Sequence, residues 1–313
     1  MEIKLITTTN ATTSGGVKFK YLGNVEIKKP PILFGTTRSP NQTIRFVVNG
    51  NTSKVTSNDE GHFELCSDEV IKSIRLYDIM LNIKDGKLIK SLDVSNLDTS
   101  QVTDMSYMFE GCSGLTSLDV SNFDTSQVTN MQEMFYTCSS LTTLDVSNWK
   151  TTNVKKMSIM FADCSGLTSL DVSNWDTSQV TETWSMFGGC SNLTSLNLSN
   201  WNTSNIETTE RMFKDCRKLT SLNLSKWDVS NVWYVYAMFS GCTSLSTLDL
   251  TNWKTSRLSI GQQTSDMFSG CKSLKTITIN DESSANMLIT LIKTDLNKTA
   301  TWNPETKIIT IPK

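Results

Sequence analysis

Apolar and polar positions repeat along the chain from Ile89 to Asn280. The clearest copy runs from Leu115 to Ser140, and the next copy begins at Leu141. Successive copies are 26 residues long, except the seventh, which has 29 because the half copy after it begins at Leu274. A fixed period in this range predicts a solenoid in which each copy adds one structural unit. The seven copies, numbered in chain order, begin at Ile89, Leu115, Leu141, Leu167, Leu193, Leu219 and Leu245.

Each copy contains two apolar patterns in succession. In the second copy, Leu115, Leu118 and Val120 are separated by small polar residues, which predicts a short strand with alternating faces. Four later apolar residues are spaced i, i+3, i+4 and i+7, which predicts one face of a short helix. These residues, Met131, Met134, Phe135 and Cys138, define the Met-Phe segment of the copy. One copy alone has nothing to bury its apolar positions against, so the copies should stack.

The repeated motif resembles a known family. L-x-x-L-x-[VL]-S-N-W followed by V-T-x-M-x-x-M-F-x-x-C is similar to the BspA-type leucine-rich repeats of bacterial surface proteins, including mycoplasma lipoproteins. The resemblance covers residues 89–280 of the 313. It implies an α/β repeat solenoid of the right-handed leucine-rich type, with a parallel strand ladder and short helices behind it. It also implies a role as a surface adhesin.

The ninth position of each copy departs from the common pattern L-x-x-L-x-L-x-x-N. It carries Leu97, Phe123 or a tryptophan, and asparagine stands one place earlier, as in Asn122. We therefore expect an aromatic ladder in place of the usual asparagine ladder. The tryptophans either fill the core or form a row of exposed rings that stack on sugars. They are Trp149, Trp175, Trp201, Trp227 and Trp253.

The regions that flank the array do not repeat. Residues 1–86 are predicted to form a small β domain that ends in a capping hairpin, with Asp85-Gly86 as its turn. The strands of that hairpin are Ile79–Lys84 and Lys87–Val94. Other strand-like stretches are Glu2–Thr7, Val17–Leu22, Thr43–Val48, His62–Cys66 and Ile71–Leu76. The repeat array then occupies residues 87–280.

Residues 281–313 are predicted to close the far end of the array. Met287, Leu288, Leu291 and Ile292 form one apolar helical face, with Asp281 or Ser283 as the N-cap. A terminal hairpin should follow, with strands at Thr299–Trp302 and Lys307–Ile311. An atypical end of this kind covers the exposed core of a repeat array.

Composition and charge exclude several classes of partner. The net charge is −2 and 19% of the residues are charged, with no basic stripe, so no nucleic-acid partner is expected. No run of 18 apolar residues occurs, so no membrane insertion is expected. The first sixteen residues have no apolar segment after a basic start, so no secretory signal is expected either.

Seven of the eight cysteines occupy one position of the repeat. No C-x-x-C pair occurs, so neither a metal site nor a disulfide framework is indicated. We interpret these residues as a column of small, buried, reduced thiols, which fits folding in a reducing compartment. They are Cys112, Cys138, Cys164, Cys190, Cys216, Cys242 and Cys271.

No catalytic constellation is apparent, and we expect no enzyme, cofactor or metal centre. His62 is the only histidine and lies outside the array, so neither a Ser-His-Asp nor a Cys-His arrangement is available. Serines and cysteines recur because the copy recurs, whereas a catalytic residue would be unique.

The candidate ligand surface is the outward face of the strands. One acidic or amide position recurs there, and stacked strands lie about 4.8 Å apart, so neighbouring carboxylates repel one another. Either hydrogen bonds to Ser and Thr hydroxyls relieve this repulsion, or the Asp93–Asp171 row attracts cations such as calcium or cationic groups of a partner. The row comprises Asp93, Asp119, Asp145, Asp171, Asn197, Asn223 and Asp249. Trp184 and Trp233 fall outside the strict pattern and are candidate exposed aromatics.

These features favour recognition without catalysis, in one of two settings. In the first, the chain is a phage virion component, such as a tail or fibre protein, made in the host cytoplasm. Its array would bind a host surface polysaccharide or surface protein, and its N-terminal domain would attach to other virion proteins. In the alternative setting, it is a bacterial cell-surface adhesin of the BspA type.

Overall fold

The computed structural model describes residues 33–37, 39–49, 51–65, 71–77 and 89–312. Among these residues, the five strands before the array and the strand of its first copy form two antiparallel three-stranded sheets. β1 lies between β4 and β6 in one sheet, and β2 lies between β3 and β5 in the other. The strands are β1 (Leu33–Thr37), β2 (Thr43–Val48), β3 (Asn51–Thr56), β4 (His62–Leu65), β5 (Ile74–Tyr77) and β6 (Ile89–Asp93).

Three of the predicted N-terminal strands are confirmed, β2 with the predicted bounds and β4 and β5 with shifted ends. The sequence analysis missed β1 and β3, because β1 contains a glycine and β3 is mostly polar, so neither shows clear apolar alternation. The predicted strands Glu2–Thr7 and Val17–Leu22 lie outside the described residues.

The first copy is covered by a strand that is distant in sequence. β6 is the strand of that copy, and its antiparallel partner is β1, whereas the hairpin was predicted to supply this cover. The first strand of the hairpin, Ile79–Lys84, lies outside the described residues. Gly35 allows the close approach of β1, since a Cβ there would collide with the Ser91 carbonyl oxygen and the Phe63 ring. Covering this edge protects the array from pairing with other chains.

The copies stack side by side through two sets of backbone contacts. One residue in each of the first six copies forms parallel bridges to its neighbours, in a row from Asp104 through Asn130, Lys156, Glu182 and Thr208 to Tyr234. Ser73 extends this row in front of the first copy. The strand segments are assigned as parallel strands in the sixth and seventh copies and the half copy: β7 (Ser221–Asn223), β8 (Thr247–Asp249) and β9 (Thr276–Thr278).

The Met-Phe segments are not the short helices that the apolar spacing predicted. Every second N–H group of the second copy's segment donates to a carbonyl of the third copy, at 2.9 to 3.0 Å. These donors are Met131, Glu133, Phe135 and Thr137. The intervening N–H groups close turns inside the copy, such as Met134 N to Met131 O at 3.2 Å. A chain of tight turns also places residues i, i+3, i+4 and i+7 on one side, so apolar spacing alone did not distinguish it from a helix.

Two residues of each Met-Phe segment adopt the left-handed backbone region, such as Glu133 (φ 58°) and Thr137 (φ 60°). This conformation costs roughly 1–2 kcal/mol for a residue with a Cβ. The hydrogen bonds between copies offset the cost, because they pair backbone groups that would otherwise be buried without partners. The repeated stacking therefore holds a turn conformation that one isolated copy would not keep.

Aromatic rings form two ladders inside the array. The phenylalanines of successive Met-Phe segments stack at centroid distances of 5.4 to 6.0 Å. The ninth-position tryptophans are at most 5% exposed, which confirms the core interpretation and rejects the exposed row. The indole N–H groups of the last four tryptophans donate to the preceding copy, as from Trp175 Nε1 to Val146 O at 3.0 Å, whereas that of Trp149 is buried without a partner among the described residues. Eighth-position asparagines add contacts between copies, as from Asn252 Nδ2 to Ser225 O at 2.7 Å.

Two columns of smaller side chains connect the copies. The seven array cysteines are buried thiols, as predicted. Each thiol after the first donates to a phenylalanine carbonyl of the preceding copy, as from Cys164 Sγ to Phe135 O at 3.0 Å. Buried threonines form a second column, in which Thr125 Oγ1 donates to Lys150 O at 3.1 Å and accepts from Lys150 N at 2.8 Å. The sequence analysis did not identify the threonine column.

The C-terminal helix and hairpin form where they were predicted. Helix α1 (Glu282–Leu296) begins after the N-cap Asp281, whose carboxylate accepts from Ser284 N at 2.8 Å. β10 (Thr301–Asn303) and β11 (Ile308–Thr310) form the hairpin, and β11 pairs antiparallel with β9. The handedness of the array, its leucine-rich class and the three domain boundaries stay predictions.

Candidate functional site

The predicted strand-face row is exposed to solvent, except that Asp249 is half-buried. Each side chain accepts a hydrogen bond from the backbone N–H two residues later, as from Ser121 N to Asp119 Oδ1 at 3.0 Å. In the third and fourth copies the serine hydroxyl also donates, as from Ser147 Oγ to Asp145 Oδ1 at 2.7 Å. The partners are thus the serine or threonine residues that stand two places after each Asp or Asn.

These hydrogen bonds favour the ionised carboxylates. The hydroxyl and N–H of Ser121 hold the pKa of Asp119 below its usual value, and the pKa values of Asp145 and Asp171 are lowered by their serines in the same way. Asn197 and Asn223 occupy the same kind of turn in the fifth and sixth copies, and the hydroxyls of Ser199 and Ser225 donate to them. The acidic and amide parts of the row therefore differ in charge and not in local geometry.

Among the described residues, no group of three or more His, Cys, Asp and Glu side chains is placed to hold a metal ion together. The Asp93–Asp171 row, which was considered for calcium, does not form such a group. The row can present charge to a partner, since its oxygens face solvent and follow one another at about the strand spacing of 4.8 Å.

The two tryptophans outside the repeat pattern lie in different environments. Trp233 is 47% exposed, and the guanidinium of Arg257 stacks over its ring at 4.9 Å from the centroid. Its neighbour Tyr234 is 46% exposed. Trp184 is half-buried instead and lines a concave groove on the surface of the Met-Phe segments. Trp233 does not line that groove.

This groove, here called the Trp184 groove, extends over the second to fifth copies and has a volume of about 620 Å³. Small residues form its base at one repeat position, where the third and fourth copies have Ala162 and Gly188. At the same position, the second and fifth copies have the longer side chains of Tyr136 and Lys214, which line the groove at either end. The groove therefore lies where two neighbouring copies have small residues at this position, between two copies that have long side chains.

Charged side chains of both signs line the Trp184 groove. Arg217 pairs with Asp215 at 3.2 Å. Arg211 pairs with Glu210 at 3.2 Å and lies 4.9 Å from the ring centroid of Tyr236. The groove is lined by Glu133, Tyr136, Ile159, Ala162, Asp163, Trp184, Ser185, Gly188, Gly189, Ser191, Arg211, Lys214, Asp215 and Arg217.

Asp163 occupies a position that a glycine of the next copy makes available. Gly189 has a φ of 74°, and a Cβ there would collide with the Asp163 carboxylate. Asp163 is exposed as a residue, but partial burial of its carboxylate against the groove wall raises its pKa. The charge of Asp215 raises this pKa further, and Lys214 acts in the opposite direction. The sequence analysis named Trp184 but missed the groove. Its signal was the pair of small residues, Ala162 and Gly188, between Tyr136 and Lys214 at one repeat position.

The part of the chain that the structure describes contains no helix long and apolar enough to cross a bilayer. Residues 79–169 and 160–281 each match the family described as Mycoplasma protein of unknown function, DUF285. The chain belongs to this family. The two DUF285 matches together include the whole repeat array, with the strand face and the Trp184 groove. No curated protein matches the chain.

Proposed function

We propose that the chain is a non-enzymatic recognition protein, built as a right-handed leucine-rich-type solenoid of the BspA type, which binds a repetitive partner on a cell surface. The observation that carries the proposal is the strand-face row, in which every full copy presents one Asp or Asn held by the residue two places later. Because a repetitive partner can engage several copies at once, weak polar contacts add up to avidity.

Two settings are compatible with this proposal. The phage virion setting has support from the column of buried thiols, which suits folding in a reducing cytoplasm. The bacterial adhesin setting has support from the DUF285 match, whose family description names Mycoplasma. In either setting the N-terminal strands would join the array to an assembly, and the array would contact the target surface.

Mass spectrometry of the native source distinguishes the two settings. Purified virions and the surface fraction of the producing cells are compared for peptides of this chain. Enrichment in virions supports the phage component, and enrichment in the cell-surface fraction supports the adhesin. A chain that is found in neither fraction contradicts both settings.

The strand face is tested with the double variant Asp119→Asn and Asp145→Asn. Asparagine keeps the turn geometry, as Asn197 and Asn223 show, so the double variant should adopt the same fold with at most a slight loss of stability. We expect weaker binding to the target surface and a smaller dependence of binding on salt, because two carboxylates are removed.

The matched control is Asp124→Asn with Asp176→Asn. These two aspartates are also exposed and accept from Ser126 and Ser178 in the same kind of turn, but they lie outside the strand-face row. If both double variants bind equally well, or are weakened equally, the row is not the recognition surface.

A further inference from the structure

We propose that the Trp184 groove binds a neutral pyranose unit of a surface polysaccharide. The inference rests on the proposed recognition function and deepens it by naming a ligand class and a specific site. It places selective binding on the surface of the Met-Phe segments, in addition to the charged row on the strand face.

The size and lining of the groove suit a sugar. Its volume of about 620 Å³ lies within the range of roughly 300–1,000 Å³ that small-molecule sites occupy. Trp184 and Tyr136 both line it and are half-buried, so each offers part of an aromatic surface together with a polar end. A pyranose ring has an apolar C–H face that packs against such a surface, and hydroxyl groups at its edge that need polar partners.

The charge of the groove selects among ligand classes. Three carboxylates line it, from Glu133, Asp163 and Asp215. Three cations balance them, from Arg211, Lys214 and Arg217. An anionic ligand would meet the carboxylates, and a cationic ligand would meet the guanidinium and ammonium groups. A hydroxyl group donates to a carboxylate and accepts from an N–H group at the same time, so neutral polyols match this mixture best.

Several of these side chains are held in place before any ligand binds. Asp215 is paired with Arg217, and Arg211 is held between Glu210 and the ring of Tyr236. The Asp163 carboxylate occupies the space that Gly189 leaves. Polar groups whose positions are already fixed lose less conformational entropy on binding, which favours affinity for a small ligand.

The other copies provide internal controls. Trp233 is more exposed than Trp184 but does not line the groove, so its loss should not affect sugar binding. Ser240 is the sixth-copy equivalent of Ala162 and also lies outside the lining. A tyrosine placed at Ala162 would reproduce the second copy, where Tyr136 stands, and would fill the groove.

The experiment measures binding of the full chain to neutral glucan, mannan and galactan, with the polyuronate alginate as an anionic comparison. Affinity electrophoresis and tryptophan fluorescence report binding to the wild-type chain and to four variants. Trp184→Ala and Ala162→Tyr alter the groove, and Trp233→Ala and Ser240→Tyr are the matched controls. Thermal unfolding checks that each variant is folded.

We expect the wild-type chain to bind at least one of the three neutral polysaccharides. Trp184→Ala and Ala162→Tyr should each raise Kd by at least about tenfold, which corresponds to about 1.4 kcal/mol. The two controls should stay within about twofold of wild type. Because Trp184→Ala only removes a half-buried side chain, it still tests the groove if Ala162→Tyr fails to fold.

Three results would overturn the assignment: no binding to any neutral polysaccharide, binding to alginate alone, or equal binding by wild type and Trp184→Ala. Attachment of the chain to its target surface is measured in parallel. Attachment without neutral sugar binding would reject the groove and leave the recognition function standing, whereas no attachment at all would reject that function itself.

Discussion

The second and fourth copies share a buried framework and differ on the surface. Both place a phenylalanine and a cysteine in the core, Phe135 and Cys138 in one, Phe187 and Cys190 in the other, all fully buried. On the surface, Gln132 and Tyr136 of the second copy are replaced by Trp184 and Gly188 in the fourth. The buried positions define how copies stack, and the surface positions can therefore vary to form a specific site.

The largest predicted effect of burial is on the rate at which the array thiols react with a labelling reagent. Burial raises the pKa of the six array thiols from Cys138 to Cys271, and that of Cys190 to about 12, so little thiolate forms. In a Cys66→Ser background, all labelling by a thiol reagent comes from the array. We expect labelling in buffer to be slower than in denaturant by on the order of a thousandfold or more. Fast labelling of two or more thiols in the folded chain would contradict the buried column.

Removal of one ring from the phenylalanine ladder should cause the next largest effect. Phe187 stacks on Phe161 and Phe213 at 5.9 Å, so Phe187→Ala leaves a cavity between copies. We expect a loss of about 3–5 kcal/mol in the free energy of unfolding, measured by urea denaturation. The control Trp233→Ala removes an exposed ring and should cost about 1 kcal/mol or less. Equal losses would mean that the ladder does not carry the stacking.

The ladders show how much of this fold could be predicted from sequence. The period, the buried thiols and the aromatic core follow from apolar positions that recur in every copy. The turn conformation of the Met-Phe segments does not follow, because its hydrogen bonds run between copies and leave no local signature. The cover of β6 by β1 could not be predicted either, since that pairing joins segments far apart in the chain.

The site was harder to predict than the core for a related reason. Trp184 was identified because it departs from the pattern. A groove, however, also requires small residues at positions where neighbouring copies have long side chains. Ala162 and Gly188 are inconspicuous in the sequence, and they matter only because the neighbouring copies have Tyr136 and Lys214 at the same position. A position-by-position comparison of the copies would have found this signal.

Removal of one hydroxyl from the threonine column should cause an intermediate loss of stability. Thr125→Val removes the hydroxyl that bonds both the N–H and the carbonyl of Lys150. These backbone groups would lose their partner in a partly buried setting, so we expect a loss of about 1–3 kcal/mol in urea denaturation.

The matched control for the threonine column is Thr129→Val, at an exposed threonine of the same copy, which should change stability by about 0.5 kcal/mol or less. The sixth copy has Val229 at the column position, so the chain itself contains the substitution once. A negligible effect of Thr125→Val would show that the threonine hydrogen bonds form when the copies stack but do not stabilise the stack.

The smallest predicted effect is on the pH dependence of stability, which should have opposite signs for Asp163 in the Trp184 groove and Asp145 on the strand face. The pKa of Asp163 is raised, mainly by burial, so the folded chain binds this proton more tightly than the unfolded chain. The contribution of Asp163 to the free energy of unfolding therefore falls as the pH rises from the ordinary carboxyl pKa through the raised pKa of the folded chain. At pH 7 the ionised carboxylate is unfavourable, and Asp163→Asn should stabilise the chain. The gain should not exceed about 0.5 kcal/mol, because solvent screens the side chain.

Asp145 on the strand face should respond in the opposite direction. Ser147 lowers its pKa, so the ionised form is favoured in the folded chain, and its contribution is present at pH 7 and lost as pH falls through the lowered value. Asp145→Asn should therefore destabilise slightly at pH 7, whereas Asp163→Asn stabilises. At pH 3 the gain from Asp163→Asn should vanish, since that carboxylate is then protonated in both states. Urea denaturation at both pH values measures the difference. If both substitutions shift stability in the same direction at pH 7, the two surfaces do not differ in the way that their hydrogen bonds and burial require.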